Sequence, residues 1–254
     1  MREDLRNRII CGDALEEMRR MPDGAFDVVI TSPPYNIRNS TGNGFNSDTS
    51  HSYKWRNAAL GKGYDGYDDN MPEEEYNAWQ NECLKEMYRL VPDTGAVFYN
   101  HKWRVQNGLM QDRHEIVKDL PVRQIIIWQR AGGMNFNDGY FVPTYEVIYM
   151  IPKPGFRLLK GKNGYGDVWR MNQESNNSHP APFPEELPRR ILDATGARSV
   201  LDPFNGSGTT CAAAKRMGVE YTGIDRSEEY CRSAEDRLSR IRPYVTLDDF
   251  SGGI

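Results

Sequence analysis

The sequence predicts an α/β fold with a seven-stranded, mostly parallel sheet that is covered by helices on both faces. Short apolar runs alternate along the chain with helical patterns, and this alternation is typical of parallel sheets. Polar turns directly follow several of these runs, at the strand ends where such sheets bind their ligands. The predicted strands span residues 8–11, 26–31, 96–100, 122–128, 145–151, 199–202 and 220–225.

The length and composition of the chain predict one domain, residues 1–254. The chain has ordinary apolar content, a formal net charge of −4 and four cysteines, and a chain of this size can bury one good core. It contains no run of about twenty apolar residues, so we expect a cytoplasmic protein without a membrane span. The cysteines form no C-x-x-C pair, so we expect reduced thiols and no metal site.

The first two predicted strands each lead into a polar turn. The first leads into Gly12, Asp13 and Ala14, a sequence that is also typical of a helix N-cap. The second leads into the turn Ser32-Pro33-Pro34-Tyr35, where the two prolines oppose a helix and leave backbone carbonyls available to a ligand.

The chemistry of this second turn suits a planar exocyclic amine on a nucleobase. The Ser32 hydroxyl and the Pro33 carbonyl can accept the two N–H groups of such an amine. The ring of Tyr35 can stack on a base that has swung out of its duplex. The alternative is a plain Pro-Pro turn that ends a strand, with Tyr35 packed on the surface.

Two polar segments interrupt the alternation of strands and helices. Residues 36–66 form a long loop, and residues 152–170 form a shorter, net positive segment. Long loops are uncommon unless they are functional or disordered, and basic residues among aromatic ones favour nucleic-acid contact. A solvated surface is the alternative for each charge. The candidate DNA contacts are Arg38, Lys54, Arg56, Lys62, Arg157, Lys160 and Lys162.

A helix is expected after Pro72, because apolar residues recur there at helical spacing. Three glutamates occupy its first turn, and Tyr76, Trp79, Cys83 and Met87 form one stripe. We expect this stripe to lie in the core.

The most informative turn near the end of the chain follows Asp202. Residues 203–208 form a glycine-containing turn, and a helical run then continues to Gly218. A further strand ends at Asp225, about twenty residues beyond the glycines, where an acid that binds ribose hydroxyls is expected. A carboxylate at Asp202 would repel a pyrophosphate but suits an ammonium, so S-adenosylmethionine fits better than a nicotinamide cofactor. The alternative is close helix packing at the glycines, with Asp225 as the cap of the next helix.

Together these motifs resemble the β group of DNA amino methyltransferases, over nearly the whole chain. The catalytic turn comes first and the cofactor turn last, which is the permuted order of that group. Residues 179–184 are similar to the segment that closes over the cofactor in the family. The resemblance implies a Rossmann-like class I methyltransferase fold, with Ser32, Pro33, Pro34 and Tyr35 as catalytic residues. It implies S-adenosylmethionine contacts at Asp13, Ala14, His179, Pro180, Phe183, Asp202, Pro203, Phe204, Gly206, Ser207, Gly208, Thr209 and Asp225.

The same resemblance implies direct methyl transfer to the exocyclic amine of a flipped base in DNA. In the family, a serine at the first position of the catalytic turn is associated more with cytosine, so cytosine N4 is favoured and adenine N6 is the alternative. Protein glutamine methyltransferases use a similar turn in the reverse motif order, and a non-catalytic partner subunit is a further alternative. A cognate restriction endonuclease and a homodimer are left open as partners.

Overall fold

The computed structural model of the protein describes residues 3–36, 71–106, 108–132, 138–172 and 183–242. The strands in these ranges are β1 (Arg8–Cys11), β2 (Val28–Thr31), β3 (Ala96–His101), β4 (Arg104–Gln106), β5 (Leu109–Gln111), β6 (Gln124–Gln129), β7 (Tyr145–Pro152), β8 (Val168–Arg170), β9 (Ser199–Asp202) and β10 (Glu220–Asp225). The α-helices are α1 (Ala14–Arg20), α2 (Glu73–Arg89), α3 (His114–Val117), α4 (Glu186–Thr195), α5 (Thr209–Arg216) and α6 (Glu228–Ser239). Within these ranges no helix combines the length and apolar character needed to cross a membrane.

Eight strands form the main sheet, in the order β1-β10-β9-β2-β3-β7-β6-β8. The first five strands in this order pair in parallel. Strand β7 runs antiparallel to both of its neighbours, and β8 pairs in parallel with β6. The predicted mostly parallel α/β sheet is therefore confirmed, with β8 as one strand more than predicted. Strands β4 and β5 form a separate antiparallel pair.

Alternate residues of the strands face two hydrophobic cores, one on each side of the sheet. On β2, Val28 and Ile30 pack into the first core, whereas Val29 packs into the second. Helices α4, α5 and α6 contribute to the first core, and α1, α2 and α3 contribute to the second. Helices cover both faces of the sheet, as predicted.

Helix α2 confirms the stripe predicted after Pro72. Tyr76, Cys83 and Met87 have no exposed surface and pack in the second core. Burial of an apolar side chain of this size contributes about 1.5–3 kcal/mol to folding. The stripe is therefore part of the core that supports β2 and β3.

The parallel strands place their carboxyl ends at one edge of the sheet, here called the carboxyl edge. Thr31 ends β2, His101 ends β3 and Asp202 ends β9 at this edge. Strand β7 starts at the same edge, because its residue Val147 pairs with His101. The opposite edge, where the parallel strands begin, is called the amino edge.

The segment predicted to recognise DNA, residues 152–170, begins at the amino edge. Pro152 pairs with Ala96, the first residue of β3. Leu159 donates its backbone N–H to the carbonyl of Ala194 near the end of α4, just before β9 begins. The six residues of β3 separate the two edges of the sheet by about 20 Å. DNA contact by Arg157, Lys160 and Lys162 stays a prediction for a segment that begins at the amino edge.

Two of these basic side chains already contact the protein itself. Arg157 donates to the carbonyl of Phe156 at 2.7 Å. Lys162 forms an ion pair with Asp193 at 2.6 Å and lies over the ring of Tyr165. The ion pair between Lys162 and Asp193 therefore holds this segment against α4.

Candidate active site

The carboxyl edge brings together the two turns that the sequence analysis singled out. Thr31, the last residue of β2, donates its hydroxyl to Oδ1 of Asp202 at 2.6 Å. Strands β2 and β9 are neighbours in the sheet, with Val29 opposite Leu201. The turn that begins at Ser32 and the turn that begins at Pro203 therefore leave the sheet side by side.

The Ser32 turn is held by a chain of buried hydrogen bonds. The Oγ atom of Ser32 lies 2.6 Å from the hydroxyl oxygen of Tyr35. The Tyr35 hydroxyl donates to Oε2 of Glu146 at 2.9 Å, and Nδ2 of Asn100 lies 2.7 Å from the same hydroxyl. Ser32 is partly exposed, whereas Tyr35 is only 5% exposed. A surface position for Tyr35 is therefore wrong, and the catalytic role of the turn stays a prediction.

The ring of Tyr35 packs against His101 instead of facing solvent. The two ring centroids are 4.9 Å apart and the ring planes are 29° from parallel. Burial lowers the pKa of His101 well below its usual range, with Arg113 adding to the effect, so the imidazole is neutral. Stacking of Tyr35 on a base stays a prediction.

The two proline carbonyls of the turn differ in their hydrogen bonding. The hydroxyl of Tyr76 donates to the carbonyl of Pro34 at 2.8 Å and lies 2.7 Å from Nε2 of His101. In the described part of the chain, no group donates to the carbonyl of Pro33. The role of the Pro33 carbonyl as an acceptor for a substrate amine stays a prediction.

Asp202 is a buried carboxylate at the base of the glycine turn. It is 2% exposed, and its Oδ1 accepts from the Thr31 hydroxyl and from the backbone N–H of Phe204 at 3.1 Å. Burial raises the pKa of Asp202 to about 6, although hydrogen bonds from Thr31, Thr210 and Phe204 oppose the change. A cation placed beside this carboxylate would favour its ionised form.

Asp225 fixes the glycine turn to the end of β10. Its Oδ2 accepts from the backbone N–H of Gly206 at 2.8 Å, and its Oδ1 accepts from Ser227 at 2.9 Å. The alternative in which Asp225 caps the following helix is wrong, because the side chain of Ser227 caps α6 by accepting from Tyr230.

Asp13 lies next to Asp225 in the structure. The backbone N–H of Gly12 donates to the carbonyl of Asp225 at 2.9 Å. Asp13 is the N-cap of α1, and its Oδ1 accepts from Leu15 and Glu16 at 3.0 and 3.1 Å. The N-cap interpretation is confirmed, and contact between Asp13 and a cofactor stays a prediction.

The remaining predicted cofactor residues are buried in the core, lie in or next to the glycine turn, or fall outside the described residues. Phe183 is buried in the first core, and Ala14 is buried at the start of α1. The ring of Phe204 meets the ring of Trp79 edge to face at 5.8 Å. The turn also contains Pro203, Ser207 and Gly208, and Thr209 begins α5. Outside the described residues lie His179 and Pro180, together with the DNA candidates Arg38, Lys54, Arg56 and Lys62.

Gly223 is needed because Asn205 of the turn packs directly on β10. A Cβ at residue 223 would lie 2.5 Å from Oδ1 of Asn205. We therefore expect Gly223→Ala to lower the free energy of unfolding by about 1–3 kcal/mol, because the turn must shift. Urea unfolding measures this effect. The matched control is Gly164→Ala, where the Cβ meets nothing within 4 Å, and equal unfolding midpoints for the two variants would contradict the prediction.

Sequence reasoning missed Asn100 and Glu146, which the structure places beside the Ser32 turn. Both are polar residues within apolar strands, and both are buried. A polar residue at the carboxyl end of β3 and a charged residue at the start of β7 were visible signals. Only the register of β3 with β7 brings them together. In the described residues no group of three or more potential metal ligands is present.

The fold and the paired turns define the class I methyltransferase architecture, with two motif-bearing turns at the carboxyl edge of a mostly parallel sheet. Residues 26–236 match the N6_N4_Mtase family model, described as DNA methylase. The chain belongs to this DNA methylase family.

Relatives of known type support the same family. The chain is 26% identical to the type II methyltransferase M.BglII of Bacillus subtilis, over 92% of this chain and 69% of that protein. It is 25% identical to the type II methyltransferase M.HpaI of Haemophilus parainfluenzae, over 95% of this chain and 77% of that protein.

Solved structures share the fold. TTHA0409 from Thermus thermophilus, complexed with S-adenosyl-L-methionine, has a TM-score of 0.64 at 22% identity, covering 94% of this chain and 99% of that chain. The PvuII DNA methyltransferase, described as cytosine-N4-specific, has a TM-score of 0.71 at 15% identity, covering 96% of this chain and 89% of that chain. At these identities the likeness establishes the fold.

Proposed function

We propose that this DNA methyltransferase transfers the methyl group of S-adenosylmethionine to the exocyclic amine of a flipped base, with N4 of cytosine as the target. The observation that carries the proposal is the partly exposed Ser32 hydroxyl at the carboxyl edge. It lies at the end of a buried hydrogen-bond chain and beside the turn that follows Asp202.

The residues at the glycine turn fit S-adenosylmethionine. Asp202 is a buried carboxylate with a raised pKa, and the ammonium of the methionyl group would supply an opposite charge beside it. Asp225 holds Gly206 in place, and the two oxygens of a carboxylate can accept further donors such as ribose hydroxyls. We assign the adenine side of the cofactor to Asp13 and Ala14, next to Asp225.

When bound, the cofactor supplies an electrophilic methyl group on a sulfonium. The task of the protein is to hold the amine nitrogen in line with that methyl group and to localise its lone pair. The Ser32 hydroxyl oxygen and the Pro33 carbonyl accept the two N–H groups of the amine. As positive charge develops on the nitrogen, these two acceptors stabilise it. Pro34 and the hydrogen bond from Tyr76 to its carbonyl hold the shape of the turn.

The choice of cytosine rests on the first residue of the catalytic turn. Serine at this position is associated more with cytosine in this family, and adenine N6 is the alternative target. The proposal for DNA contact rests on the basic residues of segments 36–66 and 152–170, which are Arg38, Lys54, Arg56, Lys62, Arg157, Lys160 and Lys162. A single domain, a cognate endonuclease and a homodimer stay predictions.

The test is to incubate the purified protein with methyl-labelled S-adenosylmethionine and unmethylated genomic DNA, then to digest the DNA and identify labelled nucleosides by mass. N4-methylcytosine is the expected product. N6-methyladenine would keep the reaction and overturn the choice of base. No labelled nucleoside, with cofactor binding intact, would overturn the proposal. A glutamine-containing peptide in a parallel reaction tests the protein substrate alternative.

A further inference from the structure

Glu146 is a buried charged residue whose described partners are all hydrogen-bond donors or cations. It is 4% exposed. Its Oε2 accepts from the Tyr35 hydroxyl and from Nδ2 of Asn100, both at 2.9 Å. A guanidinium nitrogen of Arg130 lies 3.7 Å from its Oε1. A carboxylate is an acceptor only, so the Tyr35 hydroxyl proton and an Asn100 amide proton point toward Glu146.

The strand register makes this arrangement part of the fold. Strand β7 is antiparallel to β3, and Asn100 lies opposite Ile148. Glu146 lies two residues before Ile148 and so projects from the same face of the sheet as Asn100, as a diagonal neighbour. The start of β7 therefore delivers a carboxylate to the end of β3, beside the catalytic turn.

Counting protons fixes the direction of the hydrogen bonds around Tyr35. Its hydroxyl has one proton and two lone pairs, and the proton goes to Glu146. The Tyr35 oxygen is then an acceptor for Nδ2 of Asn100 at 2.7 Å and for Ser32, 2.6 Å away. Ser32 must donate its single proton to Tyr35. One lone pair of the Ser32 oxygen faces Nδ2 of Asn100 at 3.3 Å, and the other remains for the substrate.

We propose that Glu146 is a positioning residue that sets the direction of the hydrogen-bond chain from Ser32 through Tyr35 to Glu146. In this direction Ser32 meets the substrate as an acceptor for an amine N–H. This inference rests on the proposed function, because it assigns a role toward the amine of the target base. Glu146 acts through Tyr35 and has no contact with the substrate.

Loss of the carboxylate permits the opposite direction. The Tyr35 proton can then turn to the Ser32 oxygen, and the Ser32 proton is left to face the N–H group of the base. Two donors then oppose each other at the reacting nitrogen, and the acceptor that localises its lone pair is lost. The expected result is slower methyl transfer with unchanged cofactor binding.

The experiment compares Glu146→Leu, which removes the acceptor, with Glu146→Gln, which keeps one acceptor oxygen in nearly the same volume. Single-turnover rates of methyl transfer to DNA and the Kd for S-adenosylmethionine are measured for both. Glu146→Leu is expected to slow transfer about 100-fold, and Glu146→Gln to slow it about tenfold or less. The Kd should change less than about twofold in both variants.

A double-mutant cycle separates this role from a general effect on folding. If Glu146 acts through the Tyr35 hydroxyl, Tyr35→Phe and Glu146→Leu are not additive, and the double variant is no slower than the slower single variant. The matched control is Gln80→Leu, which removes another buried acceptor. The Oε1 atom of Gln80 on α2 accepts from the hydroxyl of Tyr99 at 2.8 Å, and Tyr99 lies on β3 next to Asn100. This control should lower the Tm and leave the transfer rate within about twofold.

Three results would overturn the inference: transfer within threefold of wild type in Glu146→Leu, equal rates for the Gln and Leu variants, or fully additive effects in the cycle. If Glu146→Leu does not fold, Tyr35→Phe carries the test, because it leaves Ser32 without its proton acceptor. A Tyr35→Phe rate within threefold of wild type would then overturn it. If the wild-type protein did not methylate DNA, that result would count against the proposed function as well as against the role of Glu146.

Discussion

Ser32→Ala is expected to lower the single-turnover rate of methyl transfer about 100- to 1000-fold, the usual cost of removing one group that stabilises transition-state charge. The hydroxyl oxygen of Ser32 is the end of the buried chain that runs through Tyr35, and it is the part of that chain which is partly exposed. The variant removes the acceptor and leaves the glycine turn untouched. The Kd for S-adenosylmethionine should therefore stay within about twofold of wild type.

The control for Ser32→Ala is Ser199→Ala, a buried serine at the opposite edge of the sheet. Its hydroxyl accepts from the backbone N–H of Asp27 at 3.0 Å. Its removal should cost about 1 kcal/mol of stability and leave the rate of methyl transfer unchanged. If Ser32→Ala lost cofactor affinity and rate to the same degree, the assignment of Ser32 to the reacting amine would be refuted.

Asp202→Asn is expected to weaken S-adenosylmethionine binding about 100-fold and, in the absence of the cofactor, to stabilise the fold. The first effect follows from the loss of the negative charge that faces the ammonium, in a site where charges are poorly screened. The second follows from the raised pKa of this carboxyl. The amide oxygen of asparagine still accepts from Thr31, so the contact between β2 and β9 is kept.

The sign of the stability effect comes from proton linkage. In the unfolded chain Asp202 has its usual pKa of 3.8, and in the fold burial raises it to about 6. The folded state therefore binds the proton more tightly. Burial of the Asp202 carboxyl costs no folding stability below its unfolded-state pKa, and the cost grows as the pH rises to about 6. At pH 8 it amounts to about 3 kcal/mol, which Asp202→Asn should recover.

The measurement is urea unfolding of the cofactor-free protein at pH 8 and pH 5, together with calorimetric titration of the cofactor. The advantage of Asp202→Asn over wild type should shrink to about half at pH 5. Asp193→Asn is the control, and its effect on stability should have the opposite sign, because hydrogen bonds from Lys162 and Tyr165 lower the pKa of Asp193. If Asp202→Asn were less stable than wild type at pH 8, the predicted cost of burying this carboxylate would be contradicted.

Much of the fold was predictable because its strands are buried on both faces and so appear as continuous apolar runs. All seven predicted strands lie in the sheet, and Thr31 and Asp202 meet because each ends a strand at the carboxyl edge. Strand β8 was missed because three residues carry too little periodicity. The pair formed by β4 and β5 was missed for the same reason.

Other features depend on register and strand direction, which sequence patterns do not contain. Glu146 reaches Tyr35 only because β7 is antiparallel to β3. The same reversal places Lys160 near the amino edge, away from the Ser32 turn. A charge pattern reports that a segment is basic, but not the edge of the sheet on which it lies.

The central claim is that a bond forms between the methyl carbon of S-adenosylmethionine and the exocyclic nitrogen of a base. The most direct measurement uses methyl-¹³C cofactor and ¹⁵N-labelled unmethylated DNA, followed by digestion and NMR of the nucleosides. The account predicts a one-bond ¹³C–¹⁵N coupling to N4 of cytosine. A transferred methyl carbon that shows no coupling to an exocyclic nitrogen would contradict it.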